Sequence, residues 1–137
     1  MAPLADDCIH QFLPKSLGRA PRNNEEYRQY FTTVSPTFRD FHAWSDNEIY
    51  DVPARKAAVH MYSSATSPIG PYGNEYAIYI TFNEDGTKVK VIEEMVDTAY
   101  SSRFFGELRA YVTAHGEEVE EVWGKAVVAA FTEIGGK

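Results

Sequence analysis

The chain reads as an α+β domain in which an antiparallel sheet carries helices on one face. Three observations predict this. Four long segments in succession have strand composition, helical periodicity brackets them on both sides, and Asn83-Glu84-Asp85-Gly86 joins the last two strands as a tight hairpin.

In chain order, residues 1 to 7 read as the end of a helix, and Cys8 to Leu13 as a short extended piece closed by Pro14. A loop from Ser16 to Asn23 carries Gly18 and Pro21 and delivers Asn23 or Asn24 as the N-cap of a helix over Glu25 to Thr33. Tyr27, Tyr30, Phe31 and Val34 fall at helical spacing and give that helix an apolar face. From Phe38 the period becomes two: Phe38, Asp40, His42 and Trp44 alternate with Arg39, Phe41 and Ala43. Further strands follow at Arg55 to Thr66, Asn74 to Phe82 and Lys88 to Thr98, rich in Tyr, Val, Ile and Thr. Ser101 to Val112 is helical again, with Phe104, Phe105, Leu108 and Tyr111 on one side. A last helix is predicted over 117 to 134. Val119, Val122, Trp123, Ala126, Val127, Ala130, Phe131 and Ile134 recur at offsets of three and four, with the Glu117 to Glu121 acids on its solvated side and Gly135-Gly136 as its end.

The 137 residues suit one domain over 1 to 137, and the 14% of aromatic residues suffice for a core and a cavity lining. A net charge of −7 argues against nucleic acid, which needs clustered Lys and Arg. Cys8 is the only cysteine, which excludes an intrachain disulfide and fits a reducing, cytoplasmic setting. It reads as a small buried hydrophobe. The longest apolar run, Ala126 to Phe131, is far short of a membrane span, and no secretory h-region opens the chain.

Glycine-rich phosphate loops, His-Glu-x-x-His helices, nucleophile elbows and paired-Cys motifs are all missing, so cofactor and metal chemistry lose ground. What remains is a set of strand-borne ionisable and phenolic groups: His42, His60, Tyr62, Tyr72, Tyr76, Glu93, Glu94 and Asp97. A carboxylate among apolar side chains has its pKa raised by desolvation, which suits it to move protons near neutral pH. Parity groups Tyr76 with Ile78 and Ile80, Glu94 with Ile92 and Val96, and His60 with Tyr62, but leaves open which face is concave. Tyr72 and Tyr76 are either packing aromatics or pocket donors, Glu94 is either solvent-facing or functional, and His60 is either a hydrogen-bonded structural residue or an acid/base.

Several stretches together resemble the SnoaL-like, nuclear-transport-factor-2-like isomerases and cyclases of fungal natural-product pathways. They are Pro14-Lys15-Ser16-Leu17-Gly18-Arg19, Asn23-Asn24-Glu25-Glu26-Tyr27, Asp51 to His60, Ser63-Ser64-Ala65, Gly70-Pro71-Tyr72-Gly73-Asn74-Glu75-Tyr76, and Glu93 to Ser101. The resemblance covers roughly residues 3 to 110 and implies a cone of curved antiparallel sheet closed by helices. It implies a homodimer that isomerises, cyclises or dehydrates a hydrophobic small molecule without cofactor or metal. Carried onto this chain, it makes Glu94 the proton-handling carboxylate and Tyr72 and Tyr76 the pocket donors. His60, Tyr62, His42, Phe31 and Asp97 are the further substrate-contact candidates. Such domains open with a helix across the mouth of the cone, and this chain starts where that helix would have ended. The 117 to 134 helix is therefore expected either to cover the opening or to pack outside it. Strands apolar on both faces, such as Tyr79 opposite Ile78 and Ile80, point to dimerisation as well.

Overall fold

The computed structural model describes residues 3 to 132 and resolves this pattern into one five-stranded sheet with helices packed on one of its faces. The strands are β1 (Leu4–Leu13), β2 (Arg39–Asp51), β3 (Lys56–Ser67), β4 (Gly70–Phe82) and β5 (Val89–Val96). The helices are α1 (Asn24–Val34), α2 (Thr98–Ala114), α3 (Gly116–Trp123) and α4 (Lys125–Thr132), with short 3-10 turns at Lys15–Leu17 and Ser35–Thr37.

Strand order is β1-β5-β4-β3-β2. The last four strands form an antiparallel meander, and the β4–β5 turn is the expected one: Gly86 takes a φ of 74° and its N–H reaches the Asn83 carbonyl at 3.0 Å. Two expectations change at the N-terminal end. β1 begins at Leu4 rather than following a helix, and it pairs with β5 in parallel, so the sheet is mixed. The register shifts between Leu4 and Ile9, and the inward residues Ala5 and Cys8 sit three apart, a spacing that imitates a helix.

β2 departs from simple alternation. Its register shifts between Arg39 and His42, with Asp40 at φ 53°, and again between Ser45 and Asn47. The first bulge puts Phe38 on the same side as Phe41 and Ala43, although parity separated them. Such bulges increase local twist and bend the strand, which helps the sheet curve around a concave face.

Asn23 caps α1 as expected, its side chain accepting from the Glu26 N–H at 2.8 Å. The last helical segment is two helices, not one. Gly124 breaks it with φ 97°, a conformation other residues rarely adopt. Val119 of α3 and Val127 and Phe131 of α4 are buried with Phe104, Leu108 and Val112 of α2 and with Tyr72. α4 also touches α1 and the Ser35–Thr37 turn, so it braces the helices beside the concave face. The Arg39 guanidinium lies 4.0 Å from the centre of the Trp123 ring and donates to the Val122 carbonyl, tying the end of α3 to the start of β2. Ile134, Gly135 and Gly136 lie outside the described residues. No helix among the described residues is long and apolar enough to cross a membrane.

Candidate active site

A cavity of about 690 Å³ opens between the concave face of the sheet and helices α1 and α2. Register fixes which side chains enter it. Met61 stands opposite Tyr76, Ser63 opposite Asn74, Ile78 opposite Glu94, and Glu94 opposite Phe12 of β1; all line the cavity. α1 contributes Tyr27, Tyr30, Phe31 and Val34, the apolar face read from its spacing. That face looks into the cavity rather than into packed core, which is why α1 has no buried residue and Phe31 remains 54% exposed. No described residue of α3 or α4 lines the cavity; α4 supports the wall from behind, with Phe131 stacked on the lining residue Phe105.

The polar groups of the wall form a connected chain. The Tyr76 hydroxyl lies 2.7 Å from Ser63 Oγ and 3.3 Å from the Tyr72 hydroxyl. Asn74 Nδ2 donates to the Tyr72 hydroxyl at 3.0 Å and to Ser101 Oγ on α2 at 2.9 Å. The amide orientation of Asn74 is set by a backbone donor, because Oδ1 accepts the Glu75 N–H at 2.9 Å. Tyr72 thus receives a hydrogen from Asn74, and its own proton is left for Tyr76 or for the cavity. Tyr72 is itself held among Phe38, Tyr100 and Phe104, whose ring centres lie 4.5, 6.0 and 4.9 Å away.

Glu94 is the carboxylate of this wall. Flanked by Phe12 and Ile78, it is half-buried in the cavity wall, and this burial pushes its pKa from 4.5 up to about 7. Burial likewise raises the Tyr76 phenol far above its ordinary range, with Tyr72 and the nearby Glu94 charge adding to the rise against the Ser63 hydrogen bond. Tyr27 is raised to about 12, by burial first and then by Glu94 and Tyr30. The Tyr72 phenol is raised by burial too, although its hydrogen bonds oppose the rise.

Of the sequence candidates, Glu94, Tyr72, Tyr76 and Phe31 therefore share one cavity. The others do not join them. His60 and Tyr62 alternate with the inward Met61 and Ser63 and so stand on the outer face, and His42, alternating with Phe41 and Ala43, joins them there. On that face His60 Nδ1 meets Asp46 at 2.8 Å and Nε2 meets Glu75 at 2.6 Å; the Glu75 hydrogen bond is the main reason its pKa is raised. Asp97 is the N-cap of α2, accepting from the Tyr100 N–H at 3.1 Å. Reading the sequence for ionisable groups passed over Ser63, Asn74, Ser101 and Tyr27. The signal for Asn74 was there, since Tyr72, Asn74 and Tyr76 are spaced by two on one strand face.

This fold, a curved sheet with helices packed on one face, has solved counterparts. The structure of BvnE pinacolase from Penicillium brevicompactum matches with a TM-score of 0.74 and 33% identity, over 78% of this chain and 75% of that one. PrhC from Penicillium brasilianum NBRC 6234 matches with a TM-score of 0.74 and 25% identity, over 88% of this chain and 80% of that one. The chain belongs to the SnoaL-like, nuclear-transport-factor-2-like family of fungal secondary metabolism. A relative from Cryptosporiopsis sp. (strain 8999), named monooxygenase dmxR10, is 35% identical over 113 residues, 81% of this chain and 75% of its own length. Another, monooxygenase AgnL5 from Paecilomyces divaricatus, is 35% identical over 132 residues, 96% of this chain and 78% of its own length. No protein-family model matches the chain.

Proposed function

We propose that the protein is a cofactor-independent isomerase or cyclase acting by acid/base chemistry on a hydrophobic natural-product intermediate in the cytoplasm. The observation that carries this reading is Glu94, a carboxyl with a pKa near 7 in an apolar cavity that also holds the Tyr72–Tyr76 hydroxyl pair. A group titrating near the working pH is as ready to take a proton as to return one. The Glu94 carboxylate removes a proton from carbon next to a carbonyl, and the C–H electron pair moves onto the carbonyl oxygen. The phenols donate hydrogen bonds to that oxyanion, in a largely apolar cavity where such bonds are stronger than in bulk water. Protonated Glu94 then returns the proton at another position, or the enolate attacks an electrophilic carbon of the same molecule and closes a ring. Substrate and product have the same composition, so no electron donor or acceptor is required. The name pinacolase carried by the related BvnE supports rearrangement chemistry in such a cavity, although a pinacol shift moves a group to an electron-deficient carbon rather than a proton through an enolate.

A second reading, oxygenation of the same intermediate, is favoured by the names of the dmxR10 and AgnL5 relatives. Incubation of candidate carbonyl intermediates under labelled dioxygen, read by mass and retention time, separates the two. A changed retention at unchanged mass supports isomerisation, a gain of one labelled oxygen supports the second reading, and a loss of water identifies a dehydratase. Binding without conversion identifies a carrier.

Homodimerisation belongs to the same proposal. Trp44, Ile49 and Tyr50 on the edge strand β2 and Tyr79 on β4, two strands in, are exposed large side chains, more apolar surface than a solvated strand needs. Light scattering during size-exclusion chromatography is expected to give twice the chain mass, and a monomer at all micromolar concentrations would contradict it.

A further inference from the structure

The cavity lining is mostly apolar, and its charged residues run against the charge of the whole molecule. The chain carries a net −7, yet the charged residues lining the cavity are Arg19, Arg109 and Glu94, two cations to one acid. Arg19 stands on the loop between the Lys15–Leu17 turn and α1, its guanidinium carbon 5.7 Å from the ring centre of Phe12 and 6.0 Å from that of Tyr30, both of them lining residues. Arg22 lies over the same two rings, at 5.7 and 4.5 Å. Among the described residues no carboxylate lies within ion-pair distance of either guanidinium. The loop is also fixed in place. Gln11 Nε2 donates to the Arg19 carbonyl at 2.9 Å, and the backbones of His10 and Arg22 exchange hydrogen bonds at 2.8 and 2.9 Å.

Stacking on aromatic faces holds a guanidinium in position without neutralising it, so its in-plane N–H donors remain available to an anion. We propose that the site takes an organic anion with a planar ring system, the rings lying among Phe12, Tyr30 and the other apolar lining residues and a carboxylate or phenolate of the ligand lying against Arg19. This rests on the reading of the cavity as a substrate site and adds the class of molecule it selects. Arg19 is then the residue that sets specificity, while Arg22 sets the position of the aromatic pair.

The test needs no turnover. Fluorescence titration compares anthracenecarboxylate with the neutral anthracenemethanol substituted at the same carbon. The carboxylate is expected to bind about fivefold more tightly, as suits one partly exposed ion pair, with the difference shrinking as salt rises. Arg19→Gln should bring the carboxylate down to the affinity of the alcohol and leave the alcohol unchanged, and Arg19→Lys should retain part of the preference. Equal binding of both probes to the unaltered protein would overturn the proposal. So would an Arg19→Gln variant that loses both probes equally, which would make Arg19 a packing residue of the lining. Binding of neither probe would overturn the placement of a ring system in the cavity. Because these are binding constants for unreactive probes, their failure is distinct from that of the acid/base reading, which is tested on turnover with Glu94→Gln.

Discussion

Replacing Glu94 by glutamine keeps the side chain's size and removes the charge that its surroundings resist, and the consequence for stability is calculable. In the folded chain the carboxyl titrates near 7 rather than at its ordinary 4.5. Below 4.5 it is protonated in both folded and unfolded chains and costs nothing. Between 4.5 and 7 the unfolded chain ionises while the folded one holds its proton, so stability falls as pH rises; above 7 the full cost is present. Moving a titration midpoint by a factor of ten in proton concentration takes about 1.4 kcal/mol, so the rise from 4.5 to near 7 costs the folded state about 3 kcal/mol. Urea unfolding of the unaltered protein and of Glu94→Gln, at pH 5 and at pH 8.5, measures it. The variant should gain about 2 to 3 kcal/mol relative to the parent on going from the lower to the higher pH. A stability difference between the two proteins that is the same at both pH values would refute the reasoning, because it would mean that Glu94 ionises as a solvated carboxylate does.

Phe131 is 6% exposed and stacks on Phe105 behind the cavity wall, so Phe131→Ala should destabilise the protein by about 3 to 5 kcal/mol in denaturant unfolding. Tyr76→Phe leaves Ser63 Oγ, on a residue only 3% exposed, without its 2.7 Å partner; a loss of about 1 to 2 kcal/mol is expected, with a fall in kcat that exceeds any change in KM. His60 is on the outer face, so His60→Gln should leave turnover unchanged. Its NMR titration midpoint should lie above 6.5 and fall in Glu75→Gln, since the Glu75 hydrogen bond is the leading cause of the rise.

Elements with clean periodicity were legible to within a few residues: β3, the hairpin at Gly86 and the Asn23 cap of α1 all follow from local chemistry. What local chemistry hid was non-local. The parallel pairing of β1 depends on β5, some eighty residues away, and bulges in β1 and β2 shifted the alternation on which parity rests. The break between α3 and α4 hung on one glycine within an otherwise continuous apolar stripe. For the site, parity could pair Tyr76 with Ile78 and His60 with Tyr62, but choosing the concave face required knowing where the helices lie. His60 attracted attention as an imidazole, and in the structure it sits between Asp46 and Glu75 on the opposite face. Asn74 and Ser63 escaped it because neither titrates, although both direct the hydrogen bonds of residues that do.

At the centre of the proposed chemistry, Glu94 carries a proton from one position of the substrate to another. The most direct measurement is conversion of the pathway intermediate in deuterated water by the unaltered protein and by Glu94→Gln, followed by mass and retention time. The expected product is isomeric with the substrate, with deuterium at the new position only to the extent that protonated Glu94 exchanges with solvent before returning its proton, and the rate is expected to be at least about a hundredfold lower in the variant. Turnover of Glu94→Gln at the parent rate, or a product that has gained an oxygen atom, would contradict this role.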